Sequence, residues 1–170
     1  MEVRTHSFYL SIGSNLGDRL THLKNGINDL RALECKIVLC SSIYETAAIG
    51  MGDAPAFYNA CVYGTTTLDA STFMTQLLEI EQKNGRDRNL IGINSRTLDL
   101  DILLFGDQVL RSEHLNLPHP RYRLRKFVLF PLLEIAPDLI DPEELKPVNE
   151  YLVQTLDDSE VKKLEISLFP

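Results

Sequence analysis

The sequence predicts an α+β sandwich, with helices covering one face of a largely antiparallel sheet. Short runs rich in β-branched and aromatic residues alternate with amphipathic segments in the order strand, helix, strand, strand, helix, strand. The two helical segments carry apolar residues three and four positions apart, the spacing of one helix face. With 170 residues, 44% of them apolar, the chain fits a single domain over 1–170 and is too short for two domains and a linker.

The elements follow in order. Residues 8–12 read as a first strand, ended by the turn Gly13-Ser14-Asn15-Leu16-Gly17-Asp18. Asp18 is placed to cap a helix whose Leu20, Leu23, Ile27 and Leu30 share a face. Residues 37–44 and 57–66 are strand-like and flank a Gly- and Pro-containing loop at 50–55. Asp69 opens a second helix, with Phe73, Leu77 and Ile80 on one face and Asn84-Gly85 as its stop. Residues 97–105 form a further strand, and Gly106-Asp107 is expected to turn a hairpin into 108–110. The carboxyl third reads as irregular, with short helices and a last strand near 164–168.

Charge is unevenly distributed. The net charge is −7, and residues 134–170, with ten acids and three lysines, account for all of it. Seven of the ten arginines lie between Arg86 and Arg125, a stretch without a lysine. Planar guanidinium forks suit bidentate binding of phosphate or carboxylate. An acidic chain with one arginine cluster points to a discrete anion site rather than a nucleic-acid surface. No stretch approaches the roughly 18 uncharged apolar residues of a membrane span. Met1 to His6 lacks an apolar signal core, so a cytoplasmic location is expected. Cys35, Cys40 and Cys61 are odd in number and show no CxxC spacing, which favours small buried hydrophobes over disulfides or zinc.

Three segments carry chemistry. In Arg96-Thr97-Leu98-Asp99-Leu100-Asp101-Ile102-Leu103-Leu104, strand alternation puts Asp99 and Asp101 on one face and Leu98, Leu100 and Ile102 on the other. Carboxylates about 6–7 Å apart along a strand offer hard oxygen ligands for magnesium, the ion of phosphoryl transfer. The alternative is an edge strand with two acids in solvent; the nearby arginines favour the metal, because metal plus arginine is what a polyphosphate requires. Glu81 through Arg88 places Arg86 and Arg88 just beyond a helix end, before a loop at 89–95 able to close over a ligand. Its alternative is a solvated loop whose arginines pair with Glu81 and Asp87. In Leu117-Pro118-His119-Pro120-Arg121-Tyr122-Arg123-Leu124-Arg125, prolines fix His119 in an extended or turn conformation beside three arginines, which favours phosphate contact. The chain has no GxxxxGK[ST] loop, dinucleotide fingerprint, kinase signature or serine elbow.

Together these runs, with Ser11 to Arg19, Tyr44-Glu45-Thr46, Phe57-Tyr58-Asn59-Ala60, Phe127-Val128-Leu129 and Pro131 to Pro137, resemble the 6-hydroxymethyl-7,8-dihydropterin pyrophosphokinase family. These folate-pathway enzymes move pyrophosphate from ATP to a pterin. The resemblance runs in order from about residue 7 to 137 and implies a ferredoxin-like core. It implies that Asp99 and Asp101 hold two magnesium ions bridging the ATP phosphates, and that Arg86 and Arg96 bind phosphate and stabilise transition-state charge. Arg88, His119 and Arg125 would assist at ATP, with Glu81 and Ile102 in a nucleoside pocket. Phe57 and Phe127 would sandwich the pterin, with Asn59, Thr46, Ala48 and Ile49 along its polar edge. The substrates would be ATP and the hydroxymethyl-dihydropterin, with no nucleic-acid or membrane partner, and a monomer is expected.

The chain departs from the family at Ile93, Asn94 and Ser95, where an aromatic and Gly-Pro are common, and at Asn89, where a basic residue is common. It also has no tryptophan. A softer lid is the expected consequence. A sugar-nucleotide transferase also uses an acid-x-acid site but needs a larger nucleotide domain. A ferredoxin-like RNA-binding module conflicts with the acidic balance.

Overall fold

The computed structural model describes residues 3–89 and 95–168, and its first half follows the expected alternation. Strand β1 (His6–Ser14) leads into helix α1 (Arg19–Arg31), whose first turn is capped by the Asp18 carboxylate accepting from the Thr21 amide at 3.1 Å. Strands β2 (Cys35–Cys40), β3 (Ser42–Thr46) and β4 (Phe57–Thr66) follow. Helix α2 (Ala70–Lys83) is capped the same way, by Asp69 on the Thr72 amide at 2.8 Å. Strand β5 (Asp99–Phe105) completes this half. Beyond it lie β6 (Leu110–Arg111), β7 (Asn116–Leu117), a 3-10 turn (Tyr122–Leu124), α3 (Lys126–Ile135), α4 (Asn149–Gln154) and β8 (Val161–Ser167).

Six strands of the described residues form one antiparallel sheet in the order β5-β1-β4-β3-β8, with β2 also paired to β4. Leaving β8 aside, this is the split βαβ arrangement of a ferredoxin-like core, so the predicted fold class holds. Both α1 and α2 cover one face: Phe8, Leu10, Ile12, Leu100 and Ile102 pack against Leu23, Ile27, Phe73 and Leu77 in one buried cluster. The opposite face carries α3, α4 and the 3-10 turn over Cys61, Leu103 and Leu104. A sheet with helices on both faces differs from the one-sided sandwich read in the sequence. No helix among the described residues is long and apolar enough to cross a membrane.

Three local expectations are corrected. The apolar run at 37–44 is two strands, broken at buried Ser41. There the Ser41 hydroxyl, in place of a backbone carbonyl, accepts the Cys61 amide at 2.8 Å. The turn at Gly106 forms, with its amide donating to Ser7, but the following residues pair with β7 rather than with β5. In the carboxyl third, α3 was hidden because its sequence is apolar on nearly every position and contains Pro131. A segment apolar on nearly every position shows no 3.6-residue period, and proline reads as a breaker. The last strand does form, three residues earlier than the pattern suggested, and pairs with β3.

The register positions the site. Gly13 pairs with both Asp99 and Asn59, and Ser11 with both Asp101 and Cys61, so these side chains form two rows across the face opposite α1 and α2. Gly13 keeps the first row open: a Cβ there would sit 3.0 Å from the Asn59 Oδ1 atom.

Candidate active site

A cavity of about 730 Å³ opens between these rows, the loop after β3, the 3-10 turn and the first turn of α3. Asp99 and Asp101 both line it, as strand alternation predicts, while Leu100 and Ile102 are buried on the other face. Asp99 is held by two arginines: its Oδ1 accepts from Arg86 Nη1 at 2.6 Å and its Oδ2 from Arg96 Nη1 at 3.2 Å. Asp101 is pushed up to about 7 by burial and by the charges of Asp99 and Glu81, against the opposing pull of Arg86 and Arg125.

The arginines come from three elements. Arg86 follows the end of α2 and is oriented by Glu81, whose Oε1 accepts from its Nη1 at 2.7 Å. Glu81 is itself buried and anchored to the sheet, accepting the Leu100 amide at 2.8 Å. Its other oxygen pairs with Arg88. Arg96 is fixed through its backbone: the Asn15 Oδ1 accepts its amide at 2.7 Å, and its carbonyl accepts the Asn15 amide at 3.0 Å. The Asn15 Nδ2 also donates to Pro55 O at 3.2 Å and to Ser95 Oγ at 3.1 Å. One side chain of the first turn thus ties together the two loops that border the cavity. Arg19 adds a second clasp, donating to Ala56 O at 2.8 Å.

Of the arginines at 121, 123 and 125, only two face the cavity. A strand would have put all three on one side; the 3-10 turn divides them, sending Arg123 to Asp141 and leaving Arg121 and Arg125 on the wall. His119 joins them, its amide donating to Leu103 O at 2.8 Å. Burial, with Arg125 and Arg121, pushes the imidazole down to about 4, so it is neutral at pH 7. Its Nδ1 accepts the Arg121 amide at 3.1 Å, which leaves Nε2 as the hydrogen-bond donor. Burial and Arg121 likewise lower the Arg125 guanidinium, the electrostatic mark of cations gathered for an anion.

The cavity also has aromatic walls. Phe57, at the start of β4, and Phe127, in the first turn of α3, both line it. Each ring lies beside a site arginine, Arg96 at 5.7 Å from the Phe57 centroid and Arg125 at 5.6 Å from that of Phe127. On β4, two residues beyond Phe57, buried Asn59 donates through Nδ2 to the Thr46 hydroxyl at 3.0 Å. Thr46 and Ile49 line the cavity as well.

Four expected site residues lie elsewhere. Ile102 belongs to the core on the far side of the sheet. Glu81 is a buried anchor for Arg86 and Arg88 rather than part of the wall, and Arg88, paired with it, stands half-exposed off the wall. Of the alternative pairing with Glu81 and Asp87 in a solvated loop, only the Glu81 contacts are present, on a buried carboxylate, while Asp87 accepts the Asn89 amide at 2.9 Å and Arg86 reaches Asp99 at the same time. Ala48 turns its carbonyl into its own loop, accepting the Met51 amide at 3.3 Å. The lid departures at Ile93 and Asn94 fall at 90–94, outside the described residues. Residues that the sequence reading missed include Ser11 and Arg121 on the wall, and Asp157 and Ser159 from the tail. Alternation along β1 signals Ser11; nothing local signals Asp157.

Comparison with known proteins identifies a family and a fold. A family model described as 7,8-dihydro-6-hydroxymethylpterin-pyrophosphokinase (HPPK) matches residues 9–137. The chain is 38% identical over 150 residues to the 2-amino-4-hydroxy-6-hydroxymethyldihydropteridine pyrophosphokinase of Synechocystis sp., covering 88% of this chain and 76% of that one. To the protein of the same name from Haemophilus influenzae it is 35% identical over 155 residues, covering 91% and 96%. It is also 35% identical to folic acid synthesis protein fol1 of Pneumocystis carinii, over 91% of this chain but 21% of that protein, about a fifth of its length. Among solved structures, Plasmodium falciparum HPPK-DHPS wild type with STZ-DHP superposes with a TM-score of 0.67 at 15% identity, over 90% of this chain and 42% of that one. The triple mutant S436F/A437G/A613T of the same protein gives 0.70. At such identities the likeness concerns the fold alone. With the family model spanning most of the chain and the acid pair, arginines and aromatic walls meeting in one cavity, the chain belongs to the 7,8-dihydro-6-hydroxymethylpterin-pyrophosphokinase family.

Proposed function

We propose that this chain transfers pyrophosphate from ATP to the hydroxymethyl oxygen of 6-hydroxymethyl-7,8-dihydropterin, releasing AMP. The observation that carries the reading is Asp99. It lies beside Asp101 on β5, is gripped by Arg86 and Arg96, and through Arg96 adjoins the Phe57 ring. Metal ligands, phosphate cations and an aromatic platform are thereby within one side chain of each other.

The donor set fits magnesium. Two carboxylates face the cavity, and no group of three His, Cys, Asp or Glu forms a cage among the described residues. Such sparse protein ligation suits an ion that keeps waters and binds through one or two carboxylates plus substrate phosphates. Asp99 and Asp101 are the residues that would hold it, as two ions. When bound, magnesium neutralises the triphosphate and lowers the charge barrier to attack.

The chain's own residues do the rest. Phe57 and Phe127 stack the flat acceptor on its two faces, and the amide of Asn59 offers a donor and an acceptor to its polar edge beside Thr46 and Ile49. Arg86, Arg96 and Arg125 grip phosphate oxygens, and neutral His119 donates from Nε2. The acceptor oxygen attacks the β-phosphorus in line; the new O–P bond forms as the bond from that phosphorus to the AMP oxygen breaks, the electron pair leaving on AMP and the hydroxyl proton passing to solvent. Catalysis here is positioning and charge stabilisation, with Asp99 orienting the hydroxyl. Action as a cytoplasmic monomer in one domain belongs to the same reading; light scattering at working concentration tests the monomer.

Purified protein is expected to form AMP only when ATP, magnesium and the hydroxymethyl-dihydropterin are all present. AMP without the acceptor, or ADP in its place, would overturn the reaction class. Phe57→Ala should raise the KM for the acceptor about tenfold, since losing an aromatic wall costs about 1–2 kcal/mol of stacking and burial. The ATP KM should move less than threefold, and equal changes in both would remove Phe57 from the acceptor site.

A further inference from the structure

Part of the cavity wall comes from beyond the matched family region. Residues 155–160 link α4 to β8, and Asp157 and Ser159 among them line the cavity. Both ends of this link are fixed. Thr155 Oγ1 donates to Leu124 O at 2.9 Å, and Val161 pairs with Thr46 next to the acceptor edge. The Asp157 carboxylate is fully engaged. Its Oδ2 accepts the Lys126 amide at 2.8 Å, and its Oδ1 accepts the Ser159 amide at 2.9 Å and the Ser159 hydroxyl at 2.5 Å.

Lys126 is the first residue of α3, and Arg125, at the N-cap position, makes no side-chain cap bond. Asp157 therefore acts as the cap from a distant part of the chain, with a carboxylate at the helix end where negative charge is favoured. The next residue in that turn is Phe127. We propose that Asp157 is a positioning residue for the acceptor site: by holding the Lys126 amide it sets the first turn of α3 and with it the Phe127 ring. This rests on the reading that Phe127 stacks the acceptor.

The test uses the full chain and three variants, Asp157→Ala, Asp157→Asn and Phe127→Ala, with KM measured for each substrate. Asp157→Ala should raise the acceptor KM about five-fold, the size of a lost cap, with the ATP KM within twofold of wild type. Asp157→Asn, whose single oxygen can accept the Lys126 N–H or the Ser159 N–H but not both, should fall between wild type and Asp157→Ala. An unchanged acceptor KM in Asp157→Ala, or a rise shared equally by both substrates, overturns the inference. An unchanged acceptor KM in Phe127→Ala would instead sink the reading of the aromatic wall on which the inference stands.

Discussion

Asp101→Asn is expected to lower turnover by about a thousandfold or more, while raising the melting temperature of the metal-free protein by about 3 °C. The two effects share one cause. Asp101 sits on a rigid strand, partly buried and close to the charges of Asp99 and Glu81, so its proton is retained up to about pH 7. A carboxyl whose folded pKa is raised binds more protons folded than unfolded between about pH 4 and pH 7, so folding loses stability as pH rises through that window. The asparagine variant has no such loss. Its stability advantage should grow from pH 4 to 7 and then level off, as thermal unfolding with a chelator will show. The same charge is what a metal-loaded triphosphate requires, so the variant loses activity. Below pH 7 a proton competes for the carboxylate, and the magnesium concentration needed for half-maximal rate should rise as pH falls. A variant that keeps near-normal magnesium-dependent rate, or is less stable than wild type at pH 8, would refute this account.

Asp141→Ala should destabilise the protein by about 3–5 kcal/mol, the range for removing one partner of a buried charge network. Asp141 is fully buried. It accepts from Arg123 Nε at 2.6 Å, from Tyr151 Oη at 2.9 Å, from the Tyr122 hydroxyl, and from the amides of Glu143 at 2.8 Å and Glu144 at 3.0 Å. Burial alone would raise its pKa, but these donors, Arg123 and Tyr122 first, hold it well below the usual carboxylate range. The stability it supplies is complete above about pH 4 and is lost as pH falls toward the depressed value. Alanine leaves the two tyrosine hydroxyls and two amides without that acceptor, and the melting temperature should fall by about 10 °C at pH 7. Wild type and variant should converge in strong acid. A loss under about 1 kcal/mol would show that the carboxylate's desolvation cost cancels its bonds.

Much of the site was legible because it lies on regular elements. Period two along β5 placed Asp99 and Asp101 together and Ile102 opposite them; the same rule argued against Ile102 as a wall residue. Glu81 is less legible: a charged residue near a helix end reads as exposed, and its burial depends on Arg86, Arg88 and the Leu100 amide arriving together. Which of the arginines at 121, 123 and 125 face the cavity is not legible for a related reason, since alternate spacing means one face only if the segment is extended, and here it turns.

The sequence by itself determined the alternation of strands and helices up to residue 105, save the break at Ser41, together with the two helix caps, the shared face of the acid pair and the family. These depend on residues a few positions apart, where covalent geometry fixes which side chains can meet. Tertiary structure alone decided that Asn15 joins two loops, that Asp141 gathers Arg123 with two tyrosines, and that Asp157 caps a helix from across the chain. Those bonds span from 10 to 81 positions. A short polar side chain carries no mark of its distant partner, because what makes the bond favourable is the burial that folding creates.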